Sequence, residues 1–152
     1  MMTKEDIQRQ ADEQFMRQAL AEAEKALDEG EIPIGAVVVG GGRIVARAHN
    51  LTETLGDVTA HAEMQAITAA ENSLGGKYLA DCTLYVTVEP CVMCAGAIGW
   101  AQIRRVVYGA PDDKRGFVCY APKAMHPKCV VVKGVLEEEC RQLMTDFFRR
   151  KR

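Results

Sequence analysis

Two short segments, His61-Ala62-Glu63 and Pro90-Cys91-Val92-Met93-Cys94, constrain this chain more than anything else in it. They lie far apart in sequence but carry side chains of metal-binding type, so a fold that uses them must bring them to one point. Two cysteines three residues apart lie on one face of a helix, and a proline just before them suits a first helical turn. Thiolates at a helix start meet the positive end of the helix dipole, so they ionise and bind metal more readily. Upstream, Thr59 is placed to cap a helix that begins near His61 and continues through Met64, Ile67, Glu71 and Leu74, with Gly75-Gly76 to stop it. His61 and Glu63 would diverge on a regular helix, so both belong around the helix mouth, and two helix starts converge on one ion.

The donor set selects zinc. A structural zinc site is closed by four protein ligands, whereas His61, Cys91 and Cys94 make three and leave a position for water, whose pKa falls to roughly 7 on the metal. Glu63 is then free to move protons. A redox dithiol would need a thioredoxin-like unit and has no use for an upstream His-x-Glu. A zinc ribbon would need a second Cys-x-x-Cys, which Cys82, Cys119, Cys129 and Cys140 do not form. Those four read as reduced, mostly buried thiols, and His126 with Cys129 is a weak, incomplete second metal site.

The rest of the chain alternates helix and strand. Phe15, Met16, Ala19, Leu20, Ala23 and Leu27 repeat at helical spacing up to Gly30, and Ile34 to Val39 form a β-branched run. Gly40-Gly41-Gly42 turns that run into a hairpin with Arg43 to Ala48; no helix follows, so it is no phosphate loop. After the two metal-bearing helices and the strand Thr83 to Val88 come strands at Arg105 to Tyr108 and Val130 to Val132. Leu136, Cys140, Leu143, Met144, Phe147 and Phe148 mark a last amphipathic helix. The order predicts one α/β domain over 1–152, a mixed sheet of about five strands sandwiched between helices. No apolar run approaches the roughly 20 residues that span a bilayer, and Met1 to Gln14 is polar rather than a signal sequence, so a cytoplasmic protein is expected.

His-x-Glu followed by Pro-Cys-x-x-Cys is the signature of zinc deaminases that act on nucleobases. The chain resembles the cytidine/deoxycytidylate deaminase superfamily and, within it, the bacterial tRNA-specific adenosine deaminases. The likeness rests on Ile32-Pro33-Ile34-Gly35-Ala36-Val37, Ala48-His49-Asn50, Thr59-Ala60-His61-Ala62-Glu63, the run Leu84 to Ala97, and Asp146-Phe147-Phe148-Arg149. Where that family reads Asp-Pro-Thr, this chain has Asp57-Val58-Thr59, which removes a rigid turn residue but no chemical group. The stretch from Gly116 to Pro127 departs from the small-residue pattern of some members. The resemblance implies a three-layer cytidine-deaminase-like fold, one Zn2+ per subunit and a homodimer. It further implies hydrolytic deamination of a wobble adenosine in a tRNA anticodon stem-loop to inosine, with release of ammonia. By the same carry-over Asn50 contacts the base, backbone groups of Ala62 and Glu89 help hold it, and Asp112 lies near the nucleic acid. By spacing alone Asn50 is a turn residue and Asp112 a loop or capping acid.

A net charge of −2 seems wrong for an RNA binder until it is divided along the chain. Residues 1–32 carry −5, residues 33–99 carry −3 and residues 100–152 carry +6. Arg149, Arg150, Lys151 and Arg152 form a terminal basic cluster, with Lys114, Arg115, Lys123 and Lys128 as further phosphate-neutralising candidates. A solvated helix C-terminus favours the same residues, and the sequence pattern does not choose. Two rivals stand beside the tRNA reading. A deaminase of free guanine or cytosine would share the metal motif, and a zinc-dependent RNA-binding module would have no chemical need of Glu63.

Overall fold

A computed structural model describes residues 1–151; Arg152, the last of the basic cluster, lies outside the described residues. Helix α1, Lys4–Asp28, starts well before its apolar stripe, because Thr3 and Asp6 close a capping box with two 3.0 Å hydrogen bonds. Strands β1 (Gly35–Gly40) and β2 (Arg43–His49) form the expected hairpin. Gly41 and Gly42 both take positive φ, 59° and 75°, the two-residue turn whose twist matches the strands. A short α2 (Thr52–Leu55) precedes α3 (Ala62–Leu74), which stops at Gly75 with φ 72°. Then follow β3 (Cys82–Val88), α4 (Val92–Trp100), β4 (Arg105–Ala110), α5 (Phe117–Tyr120), β5 (Val130–Lys133) and α6 (Glu137–Lys151). Helices α2 and α5 are four residues each, too short to carry a readable apolar period.

The sheet order is β2-β1-β3-β4-β5, antiparallel from β2 through β3 and parallel from β3 through β5. Strand alternation makes the layers. Ala36, Val38, Leu84, Val86, Val106 and Tyr108 point to one face and pack with Ala66, Ile67 and Ala70 of α3 and Ala95 and Ile98 of α4. Val37, Val39, Tyr85 and Val107 point to the other, where Met16, Ala19 and Leu20 of α1 meet Cys140 of α6. The mixed five-stranded sheet between helices is therefore as expected.

Two features seat α1 on the sheet. Asp12, only 3% exposed, accepts Arg105 Nη1 and Nη2 at 2.8 and 2.7 Å and the Tyr85 hydroxyl at 2.7 Å. Burial alone would raise its pKa, but Arg105 and Tyr85 outweigh that and hold it below the usual carboxylate value. The second is Gly35, where a Cβ would overlap the Ala19 carbonyl and the Ala23 amide nitrogen, so the helix backbone lies directly on the strand. In parallel stretches of such sheets the site collects at the carboxyl ends of the strands, and here β3 ends at Val88, just before Glu89-Pro90-Cys91.

Candidate metal centre and active site

His61 and Cys91 occupy the N-cap positions of α3 and α4, and neither side chain caps its own helix. Both helix mouths, with their free N–H groups and positive dipole ends, open on the same place. Cys91 Sγ and Cys94 Sγ lie 3.6 and 3.5 Å from His61 Nδ1. Zn–S and Zn–N bonds at a tetrahedral angle put sulfur and nitrogen about 3.6 Å apart, so the three side chains fit the ion as they stand. Their ligand atoms lie within 4.8 Å of one another and form the only such cluster among the described residues.

Without metal, the protein groups hold protons that this ligand set must lose. The hydrogen bond from Cys94, helped by His61, brings the Cys91 thiol down to about 4. Cys94, which gives that hydrogen bond and faces Cys91 and Glu63, is pushed up instead. The same Cys91 contact raises the His61 pKa. A divalent cation bound between them would resolve the conflict, because a coordinating thiol is deprotonated outright. Glu63, in the first turn of α3, is 4% exposed and is not in the ligand cluster. Burial pushes its carboxyl up to about 7.

Two local expectations are corrected. Thr59 does not cap α3; its N–H and hydroxyl both go to Asp57 Oδ1, at 2.8 and 2.7 Å, because the cap position falls on His61 and the aspartate is the nearer acceptor. Pro90 lies one residue outside the cap of α4 rather than in its first turn, so the cysteine pair straddles the helix start instead of sharing an interior face.

The remaining predicted site residues divide. Asn50 is buried and gives its Nδ2 to Glu31 Oε1 at 3.3 Å and Thr52 Oγ1 at 3.2 Å. The following Leu51 N–H donates to the Ala60 carbonyl, which sets this segment beside His61. Ala62 is the buried first residue of α3. The Glu89 carboxylate accepts the amides of Asp112 and Val118 at 3.0 and 3.1 Å, so its side chain ties the 112–118 loop to the end of β3. Asp112 Oδ1 caps that loop, accepting from the amides of Lys114 and Arg115. Lys114 and Lys151 line one groove of about 710 Å³ with Asp112 and Phe148. Arg149 and Arg150 are exposed in the last turn of α6, outside that lining.

His126 uses Nδ1 to accept the Lys128 amide and joins no metal cluster, so the second-site idea falls. All six cysteines are free; Cys82 and Cys140 are buried as expected, Cys129 is half-buried, and Cys119 is exposed because it lies on the open side of short α5. Glu31 was not anticipated. Nothing in a lone glutamate after Gly30 signals a fully buried carboxylate.

Comparison with known proteins agrees with this geometry. A tRNA-specific adenosine deaminase of Bacillus subtilis is 47% identical over 146 residues, 93% of this chain and 91% of that protein. A chloroplastic tRNA(adenine(34)) deaminase of Arabidopsis thaliana is 45% identical over 162 residues, and the match spans 93% of this chain but only 12% of that much longer protein. A solved structure from a study of A-to-I editing by tRNA:A34 deaminases at the wobble position superposes with a TM-score of 0.80 at 46% identity, over 86% of this chain and 98% of that one. Residues 9–110 match the cytidine and deoxycytidylate deaminase zinc-binding region, and with it the three donors and the buried glutamate at two facing helix mouths: the chain belongs to the cytidine and deoxycytidylate deaminase family.

Proposed function

We propose that this protein is a tRNA-specific adenosine deaminase that converts the wobble adenosine of an anticodon to inosine, releasing ammonia. The observation that carries the reading is the convergence of His61, Cys91 and Cys94 beside a buried carboxylate that is not a ligand. One Zn2+ per subunit would be held by those three residues and would supply the Lewis acidity that makes water ionise near neutral pH. Glu63 takes the proton of the attacking water and delivers it to N1 of the adenine ring, which makes C6 electrophilic. A second transfer through Glu63 to the exocyclic nitrogen lets ammonia leave, so one carboxylate serves as base and then acid. The adenine reaches these groups by rotating out of its stack. Asn50 and the backbone of Ala62 and Glu89 hold it there.

The choice of tRNA over a free base is supported by the named relatives and by the basic last turn of α6, Arg149, Arg150 and Lys151, with Lys114 across the groove, as phosphate-facing charge. A cytoplasmic, homodimeric single-domain enzyme follows from the same reading. The dimer is supported by exposed apolar side chains on α4 and α5: Val92, Met93 and Trp100, the last 85% exposed, on α4, and Val118 and Tyr120, the latter 67% exposed, on α5. No described helix is long and apolar enough to cross a membrane.

The test offers zinc-loaded protein an anticodon stem-loop with a wobble adenosine alongside free adenosine, guanine and cytosine. Inosine in the stem-loop alone supports the proposal. Ammonia from a free base alone transfers the site to nucleobase salvage, and silence on every substrate with zinc bound leaves an RNA-binding module.

A further inference from the structure

Glu31 is a buried charge that the proton chemistry does not use. Its side chain is fully enclosed just after α1, and its hydrogen-bond partners are neutral donors, among them Asn50 Nδ2 at 3.3 Å, the Glu53 amide at 3.0 Å and the Thr54 amide at 2.6 Å. Burying a carboxylate without a counterion is costly, so its placement demands a reason. Two of the three donors are the open amides of α2, a helix of a single turn; the third is a residue of the base-binding segment. Burial alone would raise the Glu31 pKa, but the neutral donors of α2, the Thr54 side chain first and the Glu53 and Thr54 amides with it, outweigh it and hold the group below its usual value, as a carboxylate.

An ionised carboxylate only accepts hydrogen bonds, so Asn50 has to turn its NH2 toward Glu31. The other NH2 hydrogen faces Thr52 Oγ1. No described residue donates to Asn50 Oδ1, and no buried side-chain polar atom lacks a partner among the described residues. That oxygen is therefore not sealed off from solvent.

We propose that Glu31 is a positioning residue: it removes the twofold ambiguity of the Asn50 amide and leaves Oδ1 open to a hydrogen-bond donor of the nucleoside, a sugar hydroxyl or the exocyclic amino group. The inference rests on the base-holding role proposed for Asn50. A carboxamide there, free to flip, would present donor and acceptor alternately; a flanking carboxylate fixes one state before substrate arrives, so no ordering cost is left for binding.

A double-mutant cycle on the zinc-loaded enzyme tests this, reading kcat/KM for inosine formation in the stem-loop, zinc content and Tm. Asn50→Ala and Glu31→Gln are each expected to lower kcat/KM on the order of 10- to 100-fold, the range covered by one hydrogen bond to a charged group. The double variant should lose no more than the worse single, because Glu31 acts only through Asn50. Losses that multiply overturn the proposal and leave Glu31 a cap of α2. An Asn50→Ala enzyme as active as the parent overturns the base-holding role itself. Should Glu31→Gln fail to fold, Thr52→Val takes its place in the cycle: a smaller loss that vanishes in the Asn50→Ala background supports the fixed amide, and one that persists refutes it. A stem-loop with 2′-deoxyadenosine at the wobble position identifies the donor. A loss in the parent that disappears in Asn50→Ala assigns the sugar hydroxyl, and an equal loss in both assigns the amino group.

Discussion

Replacing Glu63 by glutamine isolates proton transfer from everything else the site does. The substitution keeps side-chain volume, so it opens no cavity, and Glu63 is outside the ligand cluster, so the metal should stay. At 4% exposure, bulk water has little access to the carboxyl position. The groups that surround it, Cys94, Cys91 and His61, are the proposed ligands, committed to the ion rather than free to act as a base. No second base stands in reserve. A positioned acid/base contributes about 10²- to 10⁴-fold, and Glu63 is asked for two transfers in succession, so a kcat loss of at least about 10³-fold is expected. At 1.36 kcal/mol per decade that is about 4 kcal/mol of barrier. Single-turnover inosine formation on the stem-loop measures it, with zinc content by elemental analysis and Tm as controls. An enzyme that keeps more than about a tenth of the parent rate would refute the acid/base role. Loss of zinc would instead make Glu63 part of the metal site.

Other expectations concern the scaffold that brings the two helix mouths together. Asp12→Ala strands Arg105 and the Tyr85 hydroxyl in the interior and should cost roughly 3–5 kcal/mol in urea unfolding; a loss under about 1 kcal/mol would mean that water replaces the carboxylate freely. Gly35→Ala drives a Cβ into the backbone of α1, which has no rotamer to retreat to, so a cost above about 3 kcal/mol is expected, and a neutral variant would show that α1 can lift off β1. His49 links β2 to the end of α1, with Nδ1 3.0 Å from Glu22, itself paired with Lys25, and Nε2 2.8 Å from Glu29. Burial alone would lower the His49 pKa, yet the two carboxylates outweigh it and raise it above 6.5. A raised folded-state pKa stabilises fully below the unfolded value and is lost as pH climbs through the folded one. The Tm advantage of the parent over His49→Gln should therefore be full below about pH 6 and shrink as the pH climbs above about 6.5; a constant or widening gap would count against the clamp.

Much of the site was legible because ligand chemistry is written in residue type and short-range spacing. His61, Cys91, Cys94 and Glu63 declare themselves as a set, and a metal ion demands that they meet. The strand and helix order was readable for a similar reason, since apolar periods of 2 and 3.6 are local properties. Element starts were not. The cap of α3 passed from Thr59 to His61, and the beginning of α1 moved back to Lys4, because caps depend on which acceptor lies nearest in space. Nor was the role of the acids. Glu89, carried over for its backbone, uses its carboxylate to tie a loop some twenty residues on, and Asp112 caps that same loop.

The sequence by itself determined the donor set, the alternation of layers and the lopsided charge, because each follows from residue identity and from neighbours along the chain. Only the tertiary structure decided which carboxylates are buried and what they hold. Asp12 reaches from α1 to Arg105 and Tyr85 on the sheet, and Glu31 reaches Asn50 and α2 beyond the β1–β2 hairpin. Burial and partnership across such distances are set by packing, and it is packing that turns an ordinary glutamate after a glycine into the group we propose orients the Asn50 amide.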